Sequence, residues 1–271
     1  MNNHRINDVQ NPAYRSAQNF IMNYQKDKEI EKKRYNSRAS KVSNSIKTFS
    51  IQSIPKFLRK PYEIYYMRLN QYIDKKTSVL ELAAGMGEHT QTLVNIGAEL
   101  TVTDISEESL KNIKKVYENK LETKVADIEN LPFKNNSFDV VCCAGSLSYG
   151  NHSKVRDEIY RVLKNDGIFI CVDSLDDNII YKLNRYFNYL MGKRTRSVIK
   201  RTPSLNLLKL YGEKFNCKKI NFFGAITWLK PIISPIIGIN SFSKFSDWFD
   251  IFFNIKKSAF KFVIVLIKSK K

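Results

Sequence analysis

Apolar and polar positions change their period several times along the chain, and each change marks an element. Residues 1–35 hold no apolar stripe: Asn11-Pro12 breaks a polar run, and charge concentrates between Lys26 and Arg34. This stretch predicts a mobile arm leading into a solvated helix. From Ile54 the pattern becomes helical, because Tyr62, Tyr65, Tyr66 and Leu69 recur at spacings of three and four and Pro61 suits a first turn. The period then shortens. Residues 78–83 form an apolar run, Gly85 and Gly87 follow, and a helical pattern through Leu93, Val94 and Ile96 stops at Gly97. Further strands are expected at 99–103, 123–126, 137–144 and 168–172, with helices at 106–118 and at 153–163, the latter closed by Asp166-Gly167. Strands that alternate with helices of about 10–15 residues predict an α/β architecture, a parallel sheet covered on both faces.

Beyond residue 175 the alternation loosens. A helix is expected at 177–191, a basic stretch at 193–201, a helix at 204–211, and strands at 218–223 and 260–267. Between those strands lies an apolar, proline-punctuated insertion at 224–258 that holds Trp228 and Trp248. No segment reaches the roughly 18–20 apolar residues of a membrane-spanning helix, and the N-terminus lacks the pattern of a signal peptide, so a cytoplasmic protein is expected. Cys142, Cys143, Cys171 and Cys217 show no CxxC spacing, and three of them fall in strand-like runs. Buried thiols are expected, with neither disulfides nor a metal site.

Charge changes this picture by its position. The 271 residues carry 45 Lys+Arg against 26 Asp+Glu, a net +19. Residues 1–77 contribute +10, residues 78–175 contribute −5 and residues 176–271 contribute +14. An acidic middle thus lies between basic flanks that attract nucleic acid, anionic lipid or phosphorylated molecules. Lys, Ile and Asn make up 87 residues, a bias that an AT-rich coding sequence imposes without functional meaning.

The candidate chemistry lies in the acidic middle. In Glu81-Leu82-Ala83-Ala84-Gly85-Met86-Gly87 the small residues let backbone approach a ligand, and the helix that follows presents free N–H groups. Thr90 stands where a dinucleotide fingerprint would place its third glycine, which disfavours NAD. Asp104 ends the second strand, where a carboxylate can accept both hydroxyls of a ribose; a helix cap is the competing reading, and Ser106 competes for that role. Asp127 follows the third strand, placed to receive an adenine amine while Ile128 packs on the ring, with an ordinary loop carboxylate as the alternative. Together these features line the carboxyl ends of three consecutive strands, where open α/β sheets bind ligands.

On residues 79–87, 102–106, 126–133, 137–141 and 161–167 the sequence resembles the class I S-adenosylmethionine-dependent methyltransferases, in the small-molecule branch that includes quinone-biosynthesis enzymes. The resemblance spans about residues 75–175, with Ala83 where the family most often has glycine. It implies a Rossmann-like seven-stranded sheet, mostly parallel, whose last strand at 260–267 is antiparallel. It divides the chain into an N-terminal arm (1–53) and a methyltransferase domain (54–271), the latter comprising a cofactor core (75–175), an acceptor-lid region (176–258) and a final strand (259–268). The implied cofactor is S-adenosylmethionine. Glu81 would fix the glycine loop beside Ala83; Gly85 and Gly87 would pass the methionine moiety. Asp104 and Ile105 would meet the ribose, Asp127 and Ile128 the adenine, and Cys143 and Ala144 would offer carbonyls near the sulfonium. Asp139 is expected to be structural.

Methyl transfer from a sulfonium needs alignment and dryness more than acid–base chemistry. For a weakly acidic acceptor, His152 is the candidate base and Tyr149 a candidate donor or wall; a surface histidine at a helix start is the competing reading of His152. The flanks supply further candidates: Tyr62, Tyr65 and Tyr66 to cover the cofactor, Arg59 or Arg68 to pair its carboxylate, and the 193–201 cluster to grip a phosphate. The expected acceptor is a sugar or another anionic intermediate of cell-surface polysaccharide assembly. The alternatives are a quinone or lipid, RNA, or no reaction at all in a cofactor-binding scaffold. Nucleic acid is not the first choice, because neither an Asp/Asn-Pro-Pro-aromatic motif nor a Pro-Cys dipeptide is present. Peripheral contact with a membrane through the 224–258 insertion is a further expectation.

Overall fold

The computed structural model describes residues 12–42 and 51–269, with side chains for 25–41 and 51–269. Its centre is a seven-stranded sheet in the order β3-β2-β1-β4-β5-β7-β6. The strands are β1 (Ser78–Leu82), β2 (Glu99–Asp104), β3 (Glu122–Val125), β4 (Phe138–Ala144), β5 (Leu163–Ser174), β6 (Asn216–Phe223) and β7 (Lys261–Ile267). The first five are parallel, and β7 runs antiparallel between β5 and β6. This is the expected arrangement, with the seventh strand in its expected place.

The strands bury both faces by simple alternation. Leu80, Leu82, Val141, Cys143, Phe169 and Cys171 point to one side. There they pack on Val155, Ile159 and Val162 of helix α5 (His152–Val162) and Tyr211 of α8 (Leu205–Gly212). Val79, Val102, Val140, Cys142 and Ile170 point to the other side. Their partners are Tyr65 and Leu69 of α2 (Lys60–Tyr72), Leu93 of α3 (Thr90–Ile96) and Leu110 and Ile113 of α4 (Glu107–Tyr117). The thiols of Cys142, Cys143 and Cys171 are buried and free; Cys217, on β6, is exposed.

Local chemistry sets the boundaries. Ser106 caps α4 by accepting the Ser109 N–H, Asn151 caps α5, and Gly97 ends α3 in the left-handed region at φ 80°. One boundary differs from expectation. The chain passes from α5 straight into β5, and Asp166-Gly167, expected to close a helix, instead bends the strand, with Asp166 at φ 59°.

The larger difference is at the N-terminus. Pro12–Val42 is one long helix, α1, and its described residues pack onto the domain in place of leading a solvated arm. Ala39 is fully buried and Glu31 nearly so, while the Asn112 amide donates to the Ala39 carbonyl. Residues 1–11 and 43–50 of the expected arm lie outside the described residues. At the other end, the region after β5 contains α6 (Ile179–Leu190), α7 (Arg196–Lys200), α9 (Lys230–Ile237) and α10 (Ile239–Phe253).

Candidate functional site

The carboxyl ends of β1, β2 and β4 open onto a cleft whose wall is built by the turns that follow them. After β1 the backbone enters the left-handed region at Ala83 (φ 48°) and Gly85 (φ 60°). Such a turn is strained for alanine and free for glycine. The Gly85 N–H donates to Asp104 Oδ2 at 2.8 Å and the Ser106 N–H donates to Oδ1 at 2.8 Å. Asp104 therefore holds the glycine loop, and its remaining lone pairs are available to hydroxyls. Ser106, not Asp104, is the helix cap.

Glu81 lies beneath this loop. Its carboxylate accepts the Thr90 hydroxyl at 2.7 Å, and its backbone carbonyl accepts the Thr103 hydroxyl. Burial raises the Glu81 pKa to about 7, although the Thr90 hydrogen bond pulls it back. Asp104 is raised by the same cause, against the pull of its backbone donors. Past β3, Asp127 Oδ1 accepts the Glu129 N–H, and Ile128 is buried beside it.

The cleft lining includes Glu81, Ala83, Gly85, Asp104, Ile105, Asp127, Ile128 and Ala144, eight of the ten positions expected to contact cofactor. The other two stand behind it. Gly87 (φ 77°) packs against α4, where an added Cβ would meet Ile113 Cγ1 at 2.9 Å. Cys143 is buried against Cys171, with sulfurs 3.4 Å apart.

What the sequence did not reveal is the roof. Helix α1 crosses the cleft and sends Asp27, Lys28, Glu31 and Tyr35 into its lining. Lys28 Nζ donates to Asp127 Oδ2 at 2.5 Å and to Glu129 Oε2 at 2.8 Å. Ser106 Oγ donates to Asn36, and Arg38 pairs with Glu88. Beneath this roof the free space is about 90 Å³. The spacing 28, 31, 35, 38 places these groups on one helical face, which is the signal that was available.

A second cavity of about 590 Å³ adjoins the first and shares Glu31, Tyr35, Gly145, Tyr149 and Val198 with it. Its wall is cationic, with Arg34, Arg38, Arg185, Lys193, Arg194 and Lys261 against the carboxylates of Glu31 and Asp173. Tyr149 stands at the junction. Its hydroxyl bonds that of Tyr35 at 3.1 Å and accepts from the Arg194 guanidinium.

Other candidates fall elsewhere. His152 begins α5 and lines neither cavity; burial, aided by Arg201, lowers its pKa to about 4. Arg59 is bound to Gln52 and the Ile54 carbonyl, and Arg68 is buried beside Gln71, so neither reaches the cleft. Tyr65 is core and Tyr66 donates to or accepts from His89 Nδ1 at 2.8 Å, while Tyr62 stacks on the His89 ring. His89 is on the cleft wall, its pKa lowered to about 4 by burial and then by Lys261. The 193–201 cluster does face both cavities, through Lys193 and Arg194 on one side and Arg201 on the other. Residues 224–258 line neither cavity; within the expected acceptor-lid region it is 184–202 that do.

Comparison with known proteins points to one family. A family profile described as a methyltransferase domain matches residues 80–171, the stretch from β1 through the middle of β5. Over these residues the chain is similar to methyltransferase domains, in line with its resemblance to the class I S-adenosylmethionine-dependent methyltransferases. A ubiquinone/menaquinone biosynthesis C-methyltransferase of Rickettsia felis is 38% identical over 108 residues, 35% of this chain and 43% of the relative. A demethylmenaquinone methyltransferase of Listeria welshimeri is 33% identical over 130 residues, 44% and 55% of the respective chains. The chain thus spans about half the length of these relatives. Among solved structures, geranyl diphosphate methyltransferase in complex with GPP and sinefungin shares the fold at TM-score 0.54 and 11% identity, over 78% of this chain and 79% of that one. The cyclase SpnF does so at TM-score 0.54 and 13% identity, over 79% and 83%. Against that family the cleft fits its cofactor: a glycine turn, a buried carboxylate with spare acceptor capacity, and a second carboxylate beside an apolar shelf.

Proposed function

We propose that this methyltransferase domain binds S-adenosylmethionine in the cleft and methylates a small molecule held in the adjoining cavity. The observation that carries the proposal is the junction of the two cavities at Gly145 and Tyr149. When bound, the cofactor supplies a methyl group on a sulfonium, open to in-line displacement. Asp104 would accept the ribose hydroxyls, Asp127 the adenine amine, and the turn at Ala83–Gly85 would border the methionine moiety. Helix α1 excludes water from above. An acceptor hydroxyl or ring carbon held at the junction would receive that methyl group in exchange for its proton, which would pass to solvent. Tyr149, Tyr35 and Glu31 are the polar side chains shared by the two cavities, whereas His152 is on neither wall.

For the acceptor, the names of the relatives favour a quinone-type ring over a sugar of polysaccharide assembly. A second reading, an anionic acceptor, is favoured by the six cationic side chains of the larger cavity. The profile match at residues 80–171 does not include Arg34, Arg38, Arg185 or Arg194. Purified full-length protein incubated with methyl-labelled cofactor distinguishes the two. Transfer to a demethylated quinone in detergent micelles supports the first reading, transfer to nucleotide sugars or sugar phosphates the second, and transfer to neither class overturns both.

A further inference from the structure

Two helices on this protein are amphipathic the wrong way round. In α6 the residues turned inward are Tyr181, whose hydroxyl donates to the Gly224 carbonyl, and Arg185, which pairs with Asp176. Asn184, Arg185 and Asn188 of the same helix line the larger cavity. Ile179, Leu183, Tyr186, Phe187 and Leu190 form the opposite stripe and are exposed, Leu183 by 63%. In α10 the buried positions are Phe242, Ser243 and Ser246, and the Asp250 carboxylate accepts the N–H groups of Gly224 and Ala225. The outward positions are Phe245, Trp248, Ile251 and Phe252, the last exposed by 66%. Helix α9 adds Ile232 and Ile236, the latter exposed by 80%. Asn178 at the start of α6 donates to Ser258, which ties this helix to the segment that follows α10.

Apolar stripes made by consecutive turns, one on α6 and one across α9 and α10, mark contact sites and not scattered exposure. Their charge identifies what the contact is. Residues 178–192 and 230–258 contain two carboxylates, Asp247 and Asp250, against six basic side chains. Asp250 is turned inward on its backbone donors and Asp247 is half-buried. Lys182, Lys244 and Lys257 are exposed beside the apolar stripes. Apolar and aromatic side chains framed by lysines, without exposed acid, suit the interface of an anionic bilayer, where rings sit among headgroups and ammonium groups meet phosphate.

We infer that α6, α9 and α10 dock this protein on the surface of an anionic lipid membrane. No helix among the described residues is long and apolar enough to cross one, so the association is peripheral. Docking would bring the larger cavity, which α6 lines from its inner face, next to the lipid interface. The surface stands apart from the methyl-transfer reading, because its test reads binding alone.

Full-length protein is mixed with vesicles of phosphatidylcholine, with or without about a third phosphatidylglycerol, and bound protein is measured by flotation. Wild-type protein is expected on the anionic vesicles and not on the neutral ones, with a blue shift of Trp248 fluorescence. Leu183→Ser and Phe252→Ser are each expected to weaken binding about tenfold, the scale of one large apolar side chain returned to water. Both sites are solvent-exposed, so the variants should keep the wild-type unfolding midpoint, which is measured alongside. Equal binding of the variants would mean nonspecific charge attraction and overturns the proposal. So does a wild-type dimer that fails to bind vesicles and that the same substitutions dissociate, since the face is then an interface between copies.

Discussion

Lys28→Ala separates a roof that competes with cofactor from one that merely covers it. Lys28 Nζ contacts Asp127 at 2.5 Å and Glu129 at 2.8 Å, with its side chain 12% exposed and that of Glu129 7%. A hydrogen bond to a charged group is worth about 1.5–3 kcal/mol, and a removed partner leaves the buried carboxylate poorly solvated. Glu129 keeps the Asn151 N–H, which limits the loss. The ligand-free variant should therefore lose about 1–2 kcal/mol of stability. Cofactor affinity should move the other way. If the adenine amine takes Asp127 Oδ2, the ammonium must give that oxygen up, and removing it in advance should tighten binding about tenfold, or about 1.4 kcal/mol. Thermal unfolding without ligand measures the first change; calorimetric titration with S-adenosylhomocysteine measures the second. A folded variant that binds cofactor no better than wild type would refute the reasoning.

Other substitutions probe the interior and the acceptor side. Burial raises Glu81 to about 7 from an ordinary 4.5, so this group contributes stability below pH 4.5 that is lost as pH rises to 7. Glu81→Gln should flatten that decline, by up to about 3 kcal/mol across the window. His89 and His152, lowered to about 4, act in the opposite sense: their contribution is present above pH 6.5 and lost as pH falls through 4, which acid unfolding followed by circular dichroism should show. Gly87→Ala forces a Cβ against Ile113 at φ 77° and should cost about 1–3 kcal/mol in chemical denaturation. Arg194→Ala removes a cation from the larger cavity together with the contact to Tyr149; it should raise the KM of an anionic acceptor about tenfold and leave cofactor affinity unchanged.

The strands buried on both faces were legible from sequence. Strands β1, β2, β4 and β5 read as short apolar runs because helices cover both faces, the glycine turn follows the first of them, Asp104 ends β2 and Asp127 follows β3. The roof's spacing of three and four was visible, but not its role, for a physical reason. Helix α1 contacts the domain through Lys28, Glu31, Tyr35 and Asn36, and a charged contact face has the same pattern as a solvated one. In the insertion, read from sequence as a candidate membrane-contact segment, Phe245, Trp248 and Phe252 face outward, although their composition alone does not distinguish a surface from a core. For Arg68 and His152, residue type suggested chemistry that burial denies them: both ended in packing positions away from the cleft. Gly87 shows a third case, a motif glycine whose requirement is close helix packing and not ligand contact.

The central claim is that the cleft above β1, β2 and β4 is a cofactor site anchored on Asp104. Titrating S-adenosylhomocysteine into the full chain and into Asp104→Ala tests it most directly. One-to-one binding by the wild-type chain is expected, with a loss of about tenfold to a hundredfold in the variant, the worth of one or two hydrogen bonds to a charged carboxylate. An unfolding midpoint is measured in parallel to show that the variant is folded. Absence of binding by the wild-type chain, or undiminished binding by a folded Asp104→Ala, would contradict it.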